Sequence, residues 1–102
     1  MMDPNKCQTM AEVRAGVDAV DESLVTLLGE RMRFMEAAAR IKRDRDDVRD
    51  EKRKAEVIAH AQAVARRVGF PPHLAAEFYE WLVEASIAYE FTRFDERNAS
   101  PA

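Results

Sequence analysis

A chain of 102 residues has room for one domain, and at that size it buries only about 60–70% of its unfolded surface, so a partner would extend a modest core. Hydrophobic residues make up 47% and charged residues 34%, a soluble globular composition that excludes a disordered or collagen-like chain, and no apolar run approaches the roughly 18 residues of a membrane span. Sixteen basic against nineteen acidic residues leave a net charge of −3, which argues against a general nucleic-acid binder, and Cys7 with only His60 and His73 offers neither a disulfide nor a metal-ligand spacing.

The N-terminal stretch from Met1 to Cys7 carries no apolar segment or small-residue cleavage site, so the chain is expected in the cytoplasm. Three segments follow, roughly 9–43, 50–68 and 72–97, all rich in Ala, Leu, Glu, Arg and Met and none with a sustained period-two pattern. The expected fold class is all-α, a three-helix chain with a long first helix. Val13, Val17, Val20, Leu24, Leu27, Arg31, Phe34, Ala38 and Ile41 succeed one another in alternating steps of four and three, a coiled-coil-like seam. Gly16 and Gly29 weaken that helix by about 1 kcal/mol each relative to Ala, so packing must hold it. A helix of about 35 residues is about 50 Å long, more than two shorter helices can cover. A second copy alongside would cover it, and homodimerisation through the first helix is the expectation.

The first break falls at Asp44–Arg49, where Asp44-Arg45-Asp46-Asp47 is wholly charged. Asp50 is the expected N-cap of the second helix, whose opening run through Lys54 reads mostly as a solvated charged face, Arg53 being its candidate for a ligand. Gly69-Phe70-Pro71-Pro72 ends it, Gly suiting the left-handed position after a helix and Pro72 the first turn of the next. Trp81, Phe78 and Met35 read as core, and the segment after Asp95 as a frayed end, with residues 1–8 similar.

Charge inside the seam is the informative irregularity. Arg31 sits at a core position, costly unless it is paired or meets an anion. Lys42, eleven residues on, falls about 20° around and about 16 Å along the same helix, so the two could hold a small dianion between them or simply snorkel. Arg14 lies about 25 Å before Arg31 and could share its pocket only from an antiparallel partner helix; alone it reads as a surface residue paired with Asp18. In the third helix Ser86 and Glu90, four apart, share a face amid Leu82, Val83 and Ile87, and Glu90 reads either as a partly buried acid or as an exposed one near Arg93.

Arg14, Arg31, Lys42, the stretch Val48-Arg49-Asp50-Glu51-Lys52-Arg53, and Ser86 with Glu90 together resemble the all-helical, AroQ-type chorismate mutases over roughly residues 8–95. The resemblance implies a single chorismate mutase domain over 1–102, an intertwined homodimer, and two pockets that each receive Arg14 from the opposite chain. The implied reaction is the pericyclic rearrangement of chorismate to prephenate, with no cofactor, metal or covalent intermediate. Such an enzyme clamps a small dicarboxylate and stabilises charge on the breaking ether oxygen. Arg14 and Arg31 would hold the carboxylates, Lys42 would donate to a carboxylate and the ether oxygen, and Arg53 and Ser86 would assist, with Asp50 helping to place the ring hydroxyl.

Two positions depart from the family. Glu90 stands where many bacterial members place Gln and can donate only when protonated. Lys54 stands where the family often has a Glu that receives the ring hydroxyl. The related isochorismate-pyruvate lyases share the Arg, Arg, Lys set and give salicylate and pyruvate, so they are the nearest alternative. A silent helical dimer serving as an interaction module is the alternative from another class. Nucleic-acid binding through Arg40, Arg43, Arg45 and Arg49 is disfavoured by the interleaved Asp44, Asp46 and Asp47.

Overall fold

The computed structural model describes residues 2–99. Over these the chain is all-α, with α1 at Met10–Ile41, α2 at Glu51–Val68 and α3 at Pro72–Arg97, and single 3-10 turns at Pro4–Lys6 and Arg45–Asp47. No strand occurs among the described residues, and no helix there is long and apolar enough to cross a membrane. By its internal contacts the chain divides into two units, Met1–Arg33 and Phe34–Ala102.

In the first unit the helix start is built by Thr9 and Glu12. The Glu12 amide donates to Thr9 Oγ1 at 3.2 Å, and the Glu12 carboxylate accepts from the Thr9 hydroxyl at 3.1 Å and the Gln8 amide at 3.4 Å, a variant of the capping box. Upstream, Asp3 caps the short turn by accepting from the Asn5 amide. Residues 1–8 were expected to fray; those described include this capped turn, and Met1 lies outside them. None of the described residues up to Arg33 is buried, and the seam residues Val13, Val17, Val20, Leu24 and Leu27 are all exposed.

The second unit holds the end of α1, the turn at Arg45–Asp47, α2 and α3. Asp50 caps α2 as expected, accepting from the Arg53 amide at 3.0 Å. Gly69, at φ 81°, ends it in the left-handed region, and the Phe70 amide reaches back to the Ala65 carbonyl at 2.9 Å. Pro72 opens α3, where a missing N–H costs nothing. A small core joins Ala39, Val48 and Phe94, with Ile87 and Phe91 packed against it.

Ion pairs hold α2 against α3. Lys54 Nζ reaches Glu80 at 2.7 Å and Glu84 at 2.9 Å, while Arg49 reaches Glu84 and Glu51, each at 2.7 Å. The run expected as a solvated face therefore has structural members at both ends, because α3 presents two carboxylates one turn apart. The Arg49 guanidinium, and after it Lys54, hold the Glu84 carboxyl down to about 2.

Two expectations about packing fail. Trp81 is 66% exposed and Phe78 is also exposed. Trp81 lies nine residues before Glu90, about 180° around α3, so burying the Glu90 face turns Trp81 outward. The end of α3 is also less frayed than expected after Asp95. Glu96 pairs with Arg93 at 3.0 Å, Arg97 is helical, and Asn98 donates twice to the Phe94 carbonyl. Residues 100–102 lie outside the described part.

Candidate active site

Lys42 follows α1 by one residue, its amide still donating to the Ala38 carbonyl, so the side chain is aimed by the last helical turn. Its ammonium donates to Glu90 Oε2 at 2.8 Å and lies 3.5 Å from the Val48 carbonyl. The Glu90 side chain is only 5% exposed and that of Lys42 29% exposed. A carboxylate that deep is held by charge-assisted pairing, since an unpaired one would be strongly penalised. Of the two readings of Glu90, the structure has the buried acid. Arg93, the partner in the exposed reading, meets Tyr89, Glu36 and Glu96 instead.

Ser86 lies one turn before Glu90 and is buried. Its hydroxyl donates to the Leu82 carbonyl at 2.6 Å, so it must rotate before it can donate to a ligand. Asp50 spends one carboxylate oxygen on its cap. Arg53 is mostly exposed and meets Glu56 at 3.6 Å, a long surface pair of little energetic weight. The second unit thus brings Lys42, Glu90 and the Val48 carbonyl into contact, with Ser86 a turn away.

Arg14 and Arg31 belong to the first unit. Arg14 is exposed and makes no ion pair with Asp18, contrary to the simplest reading of its neighbourhood. Arg31 is half-buried and engaged in an interaction of its own.

Lys54 is directed toward α3. Glu84 stands six residues before Glu90, about 120° away around α3, and it is toward Glu80 and Glu84 that the Lys54 ammonium is drawn. The hydrogen bonds it donates to those carboxylates raise its pKa above the ordinary lysine value.

Two features escaped the sequence reading. One is the Val48 carbonyl beside Lys42, although Val48 is the first apolar residue after the charged run and so was legible as an anchor. The other is Arg45, which grips Asp95 through two hydrogen bonds at 2.9 and 3.2 Å and lies 4.4 Å over the Phe91 ring.

Chemically, Lys42 offers a cation with a remaining donor, and Glu90 offers an acceptor that becomes a donor on protonation. No group of three or more His, Cys, Asp and Glu suited to a metal ion occurs among the described residues. The pair is suited to orienting an anion and answering charge that develops on an oxygen.

Comparison with known proteins agrees with the fold. Residues 13–91 match the chorismate mutase type II family. The chain is also 28% identical over 93 residues to the isochorismate pyruvate lyase of Pseudomonas aeruginosa, an alignment that spans 87% of this chain and 92% of that protein. With the family matched over more than half its length and the three helices in place, the chain belongs to the chorismate mutase type II family.

Proposed function

We propose that the protein is a chorismate mutase, rearranging chorismate to prephenate as a homodimer without a cofactor. The observation that carries this reading is the pair of Lys42, just past α1, and the buried Glu90 of α3, 2.8 Å apart. In the proposed complex Lys42 donates to a substrate carboxylate and to the ether oxygen as that bond breaks, and protonated Glu90 donates to the same oxygen. Arg31, with Arg14 of a second copy, clamps the two carboxylates, while Arg53 and a rotated Ser86 add donors and Asp50 helps place the ring hydroxyl. Lowering the barrier by about 8 kcal/mol gives a millionfold acceleration, within reach of positioning and a few focused charge-assisted bonds. The exposed seam of α1 supports the dimer, since Val13, Val17, Val20, Leu24 and Leu27 are all exposed apolar side chains.

A second reading, isochorismate-pyruvate lyase, is favoured by the similarity to the Pseudomonas enzyme. The test is a side-by-side assay of the purified protein on chorismate and isochorismate, following prephenate and salicylate separately. Prephenate dominance is the expected result. Salicylate dominance would transfer the assignment to the lyase, and turnover of neither would leave a silent helical dimer.

A further inference from the structure

We infer that Arg45 is a positioning residue for Lys42, acting through the Val48 carbonyl; this rests on the reading above that Lys42 meets the substrate. Arg45 sits in the turn at Arg45–Asp47, just after Lys42 and just before Val48. Its guanidinium spans one turn of α3, with Nε and Nη2 on the two Asp95 oxygens and Cζ 4.4 Å from the centre of the Phe91 ring. Such a fork fixes orientation as well as distance. The Arg45 carbonyl accepts from the Val48 amide at 3.1 Å, and the Val48 side chain is buried beside Phe94 and Ala39. The Val48 carbonyl in turn lies 3.5 Å from the Lys42 ammonium, whose other partner is Glu90.

The contacts close a ring that leaves α3 at Asp95 and returns to it at Glu90. Asp95 holds Arg45, the turn at Arg45 sets Val48, and Val48 with Glu90 fixes the ammonium from two sides. Without the clamp, the residues between Lys42 and Val48 keep only the turn's own hydrogen bonds and the Val48 side chain. Lys42 could then follow Glu90 alone, and a donor displaced by about 1 Å loses much of its effect on a reacting oxygen. The clamp is also reversible, because the Arg45 and Asp95 side chains are each more than half exposed, and salt therefore weakens it.

The experiment compares wild type with Arg45→Ala, Arg45→Lys and the exchanged pair Arg45→Asp with Asp95→Arg. Three quantities are read: kcat and KM on the substrate that wild type turns over, amide hydrogen exchange at Asp47 and Val48, and the NMR signal of the Lys42 ammonium. For Arg45→Ala the expected result is a fall of about five- to tenfold in kcat with KM changed less than about twofold, faster exchange at Val48, and a moved Lys42 signal. Arg45→Lys, which keeps the charge over Phe91 but not the fork, should recover part of the loss, and the exchanged pair most of it. Amides of α2 and of α3 before Glu90 should exchange as in wild type, which separates the effect from general unfolding. Faster exchange at Val48 with an unchanged kcat and an unmoved Lys42 signal would overturn the inference, as would unchanged exchange. If wild type turns over neither substrate, the functional reading fails by itself, and the exchange and the Lys42 signal still decide whether Arg45 positions that side chain.

Discussion

Replacing Glu90 with glutamine separates the charge of the buried pair from its geometry. Glutamine keeps an oxygen for the Lys42 ammonium 2.8 Å away and adds an N–H that donates at every pH. The ion pair becomes a hydrogen bond from a charged donor to a neutral acceptor, a loss of about 1 kcal/mol in stability, whereas Lys42→Ala leaves a 5% exposed carboxylate unpaired at about 3 kcal/mol. The kinetic signature is larger. In the proposed mechanism donation to the ether oxygen needs a proton on Glu90, whereas glutamine carries its N–H at every pH, so kcat/KM should depend on pH more steeply in wild type than in Glu90→Gln. Glu90→Gln should give a flat profile over the same range and exceed wild type at the alkaline end. The assay is initial-rate prephenate formation from pH 5 to 9 at fixed ionic strength, with unfolding curves for both proteins at each end. Parallel profiles for the two proteins would refute the assignment of donor chemistry to Glu90.

The apolar seam of α1 gives a second expectation: Leu27→Asp removes about 1.5–3 kcal/mol of burial from each copy and adds facing charge, and should shift sedimentation from dimer to monomer, a persisting dimer arguing for another interface. The Glu84 network predicts acid sensitivity with a definite sign. Its folded pKa of about 2 lies below the ordinary 4.5, so its contribution is complete above 4.5 and is lost as pH falls through about 2. The difference in Tm between wild type and Glu84→Gln should therefore be constant near neutrality and shrink below pH 4.5; a constant difference to pH 2 would contradict the pairing. Finally, Gly69 has φ 81° and open space where a Cβ would go, so Gly69→Ala carries backbone strain alone, about 1–2 kcal/mol in urea denaturation, and a neutral result would mean that the turn relaxes.

What the sequence made legible was local. Gly69 with Pro71 and Pro72, the charged run at Asp44–Asp47 and the cap at Asp50 carry their geometry in their own backbone preferences, and the helix ends fall within two residues of where they were expected. Lys42 and Glu90 were each recognisable as candidates, one by its place beyond the seam and both by family resemblance. Their contact was not, since it joins residues 48 apart and depends on how α3 returns to the end of α1. The same holds for Arg45 and Asp95, 50 apart, and for Lys54, whose partners lie on another helix. Periodicity names a face of a helix without naming what it meets. Trp81 was misjudged for a related reason: aromatic bulk argued for the interior, while the position opposite Glu90 decided the matter.

The absence of buried residues over the described part up to Arg33 has a thermodynamic consequence. A helix gains most of its stability in water from packing, and this stretch, interrupted by Gly16 and Gly29, draws little from its own chain. In the proposed homodimer its cohesion comes from association and obeys mass action, while α2 and α3 keep ion pairs that dilution does not touch. Helical content should therefore depend on protein concentration. Serial dilution at constant temperature would melt the front of α1 first, and the midpoint of thermal unfolding would rise with the logarithm of concentration.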